Sequence, residues 1–378
     1  MHVLLAPDSF KGSLTSVEVA QALAEGWHRS RPDDTLELAP LADGGEGLLA
    51  AVEAAGGWTW RVARARDPLR RWIDAAWLQS ADGRTAVVEM AAASGLSRLA
   101  PAERDPLGAT THGTGDLIRA ALDAGARNIV LGIGGSATTD GGRGILEALG
   151  GAVPGEPPSI DLDRLDPRLG DSSVEVACDV TNPLLGERGA AATYGPQKGA
   201  TPDQVAALDR RNAAWADLLE TAAGRRVRDL PGAGAAGGVG FAMLAIADRF
   251  RRFALRPGIE LVMTTVGFAE RLAAADLVIT GEGRIDAQTA FGKTALGVAR
   301  LAHEAGVRCL AVGGGVLPEG IAALKPLGVT VVPVWDRPVA LNDAIAAGAA
   351  PLVDCGARMA TMEWSRHPRS TRPVRSPR

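Results

Sequence analysis

The segment LVITGEGRID at 277–286 turns from apolar side chains to two carboxylates, a guanidinium and two glycines: Gly281, Glu282, Gly283, Arg284 and Asp286. A buried strand that stops there exposes charge at its carboxyl end, the edge at which open α/β sheets bind ligands. Segments 3–8, 36–43 and 174–179 pass from apolar to acidic in the same way, ending at Asp8, Asp43 and Asp179. Repeated strand-to-acid endings point to a metal-dependent site on an α/β scaffold.

Each motif has a chemical reading and a plainer one. Asp8-Ser9-Phe10-Lys11-Gly12-Ser13 lies between a strand and a helix. Lys11 supplies a point charge for a phosphate or carboxylate, and the helix start supplies N–H donors; a capped loop with a solvated lysine fits equally. Asp43-Gly44-Gly45-Glu46-Gly47 sets two acids among glycines that let a ligand approach the backbone. The same residues also make a tight turn with Glu46 on a helix dipole. Asp179, after Cys178, suits a general base or metal contact, or an Asx-turn before Asn182-Pro183.

The loop at 132–137 matches the loose G-x-G-x-x-G/A dinucleotide pattern. That fold needs a second strand ending in an acid about twenty residues on, and 153–158 is a poor strand. Phosphate cradling by Gly134, Gly135 and Ser136 is therefore favoured over NAD, with Thr138 and Asp140 as further oxygen donors. Lys198 is another loop lysine. Gly292-Lys293-Thr294 looks like the end of a Walker A loop, but Ala287 stands where a glycine is required. Lys293 then reaches a phosphate or lies on a helix surface. The five histidines show no metal-ligand spacing, and no G-x-S-x-G elbow is present.

These residues need elements to hold them. A strand at 3–6 leads to a helix opened by a Thr15/Glu18 capping box, with Leu14, Val17, Leu23 and Trp27 as its stripe. A strand at 36–39 and a helix to about Ala55 follow, which is βαβα logic and predicts a parallel sheet. After Gly57 the pattern changes to an antiparallel meander at 60–65, 73–79 and 85–90. A helix at 116–124, strands at 128–131 and 174–178, a Pro- and Asp-rich surface loop at 153–171 and a helix at 202–222 come next. Thr201, Pro202 and Gln204 mark the start of that last helix. Strand–helix alternation returns with strands at 277–280, 309–312 and 329–334 and helices at 289–305 and 341–348. The two ends look alike and the middle does not. The chain therefore reads as a discontinuous α/β domain, 1–58 with 275–362, carrying an inserted mixed-sheet α/β domain at 59–274. A basic tail at 366–378 has nothing to bury and is expected to be disordered.

The bulk properties agree. A length of 378 residues suits two domains, and 46% hydrophobic with 22% charged residues is the balance of a folded, soluble protein. A net charge of −4 gives no basic surface for nucleic acid. Cys178, Cys309 and Cys355 are scattered and odd in number, which suits a reducing cytosol. No signal region and no membrane-length apolar run are seen, so a cytoplasmic protein without membrane partners is expected.

Taken jointly, the motifs resemble the bacterial-type glycerate kinase family. APDSFKGSL, ADGGEG, GTGDLI, GIGGSATTDGG, ACDVTNPL, GPQKGAT, GAGAAGG and ITGEGRIDAQTAFGKT occur in the family's order and approximate spacing. Two positions depart from it: Thr139 stands for the usual Asn, and Leu48 for the Thr that commonly follows DGGEG. The resemblance implies ATP-dependent phosphorylation of D-glycerate to 2-phosphoglycerate with Mg²⁺. It also implies two α/β domains, one Rossmann-like with the other inserted in it, and a site in the cleft.

On that basis the expected roles are as follows. Lys11 holds the glycerate carboxylate, with Asp8, Ser9, Asp43, Glu46 and Asn182 around the substrate. Asp179 accepts the proton of the attacking hydroxyl. Glu282 and Asp286 hold Mg²⁺, and Arg284 or Lys293 stabilises charge on the transferred group. Gly134, Gly135, Ser136, Thr138, Asp140 and Lys198 cradle the nucleotide. D-Glycerate and ATP are the expected partners, in a monomer or homodimer. Three other readings compete: the same kinase giving 3-phosphoglycerate, an NAD-dependent oxidoreductase of a small hydroxy acid, and a non-catalytic glycerate or nucleotide sensor. The retained acids and lysines argue against the sensor.

Overall fold

The computed structural model describes residues 1–153, 159–291 and 294–363. The chain forms two compact units, one built from Met1–Ala42 with the chain from Val266 onward, the other from Asp43–Thr265.

In the first unit, five parallel strands lie in the order Thr330–Pro333, Arg308–Val316, Leu277–Ile285, His2–Pro7, Thr35–Leu38. The chain enters at His2–Pro7 and steps outward to Thr35–Leu38. It returns at Leu277–Ile285 on the opposite side and steps outward again. Strand order thus reverses between His2–Pro7 and Leu277–Ile285, the position at which doubly wound sheets bind ligands. The helix Ser16–Ser30 opens with the expected capping box, Thr15 Oγ1 accepting from Glu18 N at 3.2 Å and Glu18 accepting from Thr15 N at 2.8 Å. Its Val19, Leu23 and Trp27 pack with Leu352, Val353 and Met359 of the helix Ala350–Ala360 and with Val3, Leu5, Ile279 and Leu310 of the sheet.

Trp27 is fully buried, and its indole N–H donates to Asp34 at 3.0 Å. Asp34 also meets the N-terminal ammonium of Met1 and the Arg31 guanidinium, each at 2.6 Å. Burial pushes the Asp34 carboxyl up. The hydrogen bonds from the ammonium, Arg31 and Trp27 outweigh it and hold the group below its ordinary value.

In the second unit, six strands lie in the order Arg252–Arg256, Ser173–Ala177, Asn128–Gly132, Thr85–Glu89, Trp72–Ser80, Trp58–Arg66. The first four are mutually parallel, and the last two form an antiparallel hairpin with Trp58 opposite Ser80. The mixed sheet is the one expected. The helix Pro202–Ala223 starts at the predicted Thr201/Gln204 capping box. Of the span 153–171, expected to be a surface loop, 154–158 lie outside the described residues. Ser159–Ile160 pairs antiparallel with Ala152–Val153, and two short 3₁₀ turns follow, Leu162–Arg164 and Pro167–Asp171, capped by Asp161 and Asp166, with Leu162, Leu165 and Leu169 buried.

The unit boundaries fall elsewhere than the sequence reading put them. The helix Leu48–Ala54 packs on the Trp58–Arg66, Trp72–Ser80 and Thr85–Glu89 strands, so it goes with the second unit although 1–58 was read with the first. The helix Phe268–Ala274 packs on His2–Pro7 and Thr294–Ala305 and goes with the first. A helix joins the sheet that its apolar face covers, and composition at a boundary does not report that. The basic tail at 366–378 lies outside the described residues. No helix among the described residues is long and apolar enough to cross a membrane.

Asp34→Asn removes the charge that collects Met1, Arg31 and Trp27. It is expected to lower stability at neutral pH by about 2 kcal/mol. Because the folded-state value is lowered, this contribution is present above the ordinary Asp range and is lost on acidification. Urea melts of both proteins at several pH values check this: the gap between them must close as pH falls below about 4.

Candidate active site

In the first unit, the Leu277–Ile285 strand does not stop at Gly281. It pairs with Arg308–Val316 as far as Ile285, with Glu282 opposite Gly313 and Arg284 opposite Gly315. On its other edge, pairing with His2–Pro7 ends where Pro7 meets Gly281. The predicted strand ending is therefore present on one edge only. Glycine makes this close pairing possible: a Cβ on Gly314 would lie 2.8 Å from Gly283 O, and one on Gly281 would lie 2.8 Å from Val312 O.

Asp8 sits at this switch point, its N–H donating to Gly281 O at 2.8 Å. Its carboxylate accepts from Ser9 N and from Thr294 Oγ1, each at 2.6 Å, Thr294 being the first residue of the helix Thr294–Ala305. Glu282 is buried and accepts from Thr289 Oγ1 at 2.6 Å. Asp286 accepts from Gln288 N at 2.8 Å and lies 3.3 Å from the exposed Arg284 guanidinium. Lys11 is exposed in the turn after Phe10. The fold thus brings Asp8, Ser9 and Glu282 to one strand junction and pairs Arg284 with Asp286 beyond it. Lys293 lies outside the described residues.

Among the described residues no group of three or more His, Cys, Asp or Glu side chains is arranged to hold a metal ion by itself. Mg²⁺ is commonly held by one or two carboxylates together with substrate phosphates. Asp8, Glu282 and Asp286 are hard oxygen donors of that kind.

In the second unit, the carboxyl ends of the four parallel strands carry Glu89, the loop from Gly132, Cys178-Asp179, and Pro257-Gly258. Asp179 accepts from Gly258 N at 2.8 Å, at the first residue of the helix Gly258–Thr265. The acidic glycine loop lies against this edge. Gly134 N donates to Gly44 O at 3.3 Å, Gly45 N donates to Asp43 Oδ1 at 3.1 Å, and the Glu46 side chain lies beside Gly135.

Glu89 was not among the residues singled out from the sequence. It is buried at the end of Thr85–Glu89 and accepts from Leu49 N at 3.1 Å, in the first turn of the helix Leu48–Ala54. Burial pushes its carboxyl above the ordinary Glu value. N–H groups of Leu49, Gly47 and Leu48 pull the other way, and the charge of Glu46 adds to the rise. Its signal was available, since apolar Ala86, Val87 and Val88 run into it as Val174–Ala177 run towards Asp179.

Three predicted contact residues are engaged inside the protein. Lys198 is 2% exposed, and its ammonium donates to Ser136 Oγ at 2.9 Å and Thr138 O at 2.5 Å. It braces the Gly134–Thr138 loop from within. Burial pulls its value down to about 7, against an upward pull from the charge of Asp140. Asp140 accepts from Thr111 N at 2.8 Å, Thr111 Oγ1 at 2.9 Å, and Gly142 N and Gly144 N at 3.1 Å. It ties the start of the helix His112–Asp123 to the start of Arg143–Ala148. Asn182 donates to Arg188 O and accepts from Tyr194 OH, each at 2.8 Å. Thr138 Oγ1 is buried without a partner among the described residues.

The family model described as the glycerate kinase family matches residues 3–363. A glycerate kinase of Halalkalibacterium halodurans is 40% identical, over 96% of this chain and 99% of its own length. A glycerate 2-kinase of Escherichia coli is 43% identical, over 88% of this chain and 90% of its own length. A crystal structure from Salmonella typhimurium LT2, provisionally assigned as glycerate kinase 2, superimposes with a TM-score of 0.81 at 42% identity, covering 95% of this chain and 97% of its own. The chain belongs to the glycerate kinase family.

Lys198→Met removes the buried ammonium. At pH below about 7 the charged group's lost hydration weighs against the folded state. As pH rises towards the ordinary lysine value, the folded protein releases this proton before the unfolded chain does. Wild type should then gain stability over the variant, by at most about 1.4 kcal/mol per pH unit. Denaturant melts of both proteins across that range check it, and a constant difference contradicts it.

Proposed function

We propose that this member of the glycerate kinase family transfers the terminal phosphoryl group of ATP to D-glycerate, giving 2-phosphoglycerate. One observation carries this reading. The carboxyl edges of the two sheets hold carboxylates and glycine loops, with the exposed Lys11 in the turn after the first strand, the donor types that phosphoryl transfer to a hydroxy acid needs. Phosphoryl transfer asks for position and charge balance more than for covalent chemistry.

Asp179, oriented by the Gly258 N–H, is the base. It accepts the hydroxyl proton as the glycerate oxygen bonds to the γ-phosphorus. The bond from that phosphorus to the bridging oxygen breaks, and ADP leaves. Lys11 meets the glycerate carboxylate as a point charge at the start of the first helix, with Asp8, Ser9, Asp43 and Glu46 as hydrogen-bonding neighbours. The backbone at Gly134, Gly135 and Ser136, held from behind by Lys198, cradles phosphate oxygens. Arg284 stabilises charge on the transferred group. Glu282 and Asp286 are the residues that would hold Mg²⁺, which when bound would neutralise phosphate charge. The name of the Escherichia coli relative favours the 2-phosphate over the 3-phosphate. The three cysteines are free thiols, which suits a reducing cytoplasm.

Asp179→Asn is expected to lower kcat by about 10²- to 10⁴-fold with an unchanged melting midpoint; near-normal turnover would remove Asp179 as the base. Glu282→Gln should raise the Mg²⁺ concentration needed for half-maximal rate, and an unaltered requirement would exclude Glu282 as a metal contact. Coupling the product to enolase alone, or to phosphoglycerate mutase followed by enolase, distinguishes the two phosphoglycerates. Signal with enolase alone is expected, and signal only with the mutase present would reassign the acceptor hydroxyl.

A further inference from the structure

A cleft of ≈ 430 Å³ within the second unit is lined by Arg70, Arg143, Arg211, Glu147, Asn212 and Trp215. None of them has a role in the proposed phosphoryl transfer. Arg70 stands in the turn between Trp58–Arg66 and Trp72–Ser80 with φ 65°, a left-handed conformation uncommon for a side chain other than glycine. Its side chain is 51% exposed, and its guanidinium lies 3.4 Å from the Glu147 carboxylate. A guanidinium carries five N–H donors, so Arg70 keeps several for a ligand. Arg143 donates to Glu147 at 2.8 Å, and Arg211 donates to the carbonyls of Leu107 and Thr139.

Asn212 supplies an independent observation. It is 1% exposed, and neither its amide nitrogen nor its amide oxygen has a partner among the described residues. Buried polar atoms are almost always hydrogen-bonded, because an unmet donor or acceptor costs roughly 1–3 kcal/mol. An unmet amide in a cleft wall marks the place where a ligand atom completes the pair.

The charges set the class of ligand. Three guanidiniums face two carboxylates in the lining, Asp140 and Glu147. Asp140 is already engaged by the backbone and hydroxyl donors of Thr111, Gly142 and Gly144. The balance is positive, and a guanidinium fork matches the oxygens of a carboxylate or phosphate. Leu107, Trp215 and Leu218 add an apolar wall. The volume lies within the range of small-molecule sites.

We propose that this cleft is a second binding site, for a small organic oxyanion whose carboxylate or phosphate pairs with Arg70 and whose neutral polar group meets Asn212. Arg70→Gly and Asn212→Leu test it. Glycine relieves the left-handed backbone, and leucine replaces an unmet amide with an apolar group of similar size, so both variants should melt no lower than wild type. Calorimetric titration of the full chain uses inorganic phosphate, 3-phosphoglycerate and malonate, which separates a bare phosphate, a phosphate ester and a carboxylate. Crystals soaked with the best probe show where it binds. The expected result is a loss of affinity of about tenfold or more in Arg70→Gly, a smaller loss in Asn212→Leu, and density bridging residues 70 and 212. Equal affinities in all three proteins, density elsewhere, or binding in the crystal without binding in solution would overturn the proposal. Density at residues 70 and 212, with affinity lost in variants of those residues, distinguishes this cleft from the phosphoryl-transfer site, which would itself admit a phosphoglycerate.

Discussion

Parallel strand pairing is the constraint on which the site depends. When neighbouring strands run the same way, every loop that leaves a carboxyl end emerges on the same edge of the sheet. In the first unit this collects Asp8 after His2–Pro7 and Glu282 on Leu277–Ile285. In the second it collects Glu89, the loop after Gly132, Asp179 and Gly258. Residues more than two hundred positions apart in sequence become neighbours through sheet register, as the hydrogen bond from Asp8 N to Gly281 O shows. At the other side of the second sheet, Trp58–Arg66 is antiparallel to Trp72–Ser80 and so ends on this same edge, where the turn of the hairpin carries Arg70.

Glycine-rich loops are free to wander, and ordering them costs conformational entropy. The second unit offsets that cost with buried polar groups. Lys198 holds Ser136 and Thr138, Asp140 joins two helix starts to the same loop, and Glu89 accepts from the first turn of Leu48–Ala54. In a medium of low dielectric each such bond is strong, and each unmet group is expensive. Burial that lowers the Lys198 value and raises the Glu89 value is the cost side of the same arrangement. Loops braced this way have less conformational freedom to lose when a ligand binds, which favours catalysis by positioning.

The scaffold was largely readable from residue patterns. Capping boxes at Thr15 and Thr201, apolar runs at each sheet strand and the switch from alternating to antiparallel pattern after Gly57 are local features, and local features are what periodicity reports. The strand-to-acid pattern put Asp8 and Asp179 just past strand ends, where the structure has them, whereas Glu282 lies within Leu277–Ile285 and not after it. What could not be read depends on partners distant in sequence. Nothing around Lys198 says that its ammonium will meet a carbonyl 60 residues away instead of solvent. The same holds for Asp140 and Thr111, 29 apart. The extension of Leu277–Ile285 past its glycines depends on Arg308–Val316 continuing beside it. Glu89 ends a strand whose pattern reads as part of an antiparallel meander; its parallel pairing with Asn128–Gly132, which puts it on the site edge, depends on a partner distant in sequence.

The central claim is that this chain moves a phosphoryl group from ATP to an acceptor hydroxyl and not to water. Phosphorus-31 resonance of the purified protein with ATP, Mg²⁺ and D-glycerate tests it most directly. The account predicts that γ-phosphate signal converts into one phosphate-ester signal at the rate at which ADP appears, and only when D-glycerate is present. Conversion to inorganic phosphate instead, at a rate indifferent to D-glycerate, would contradict it.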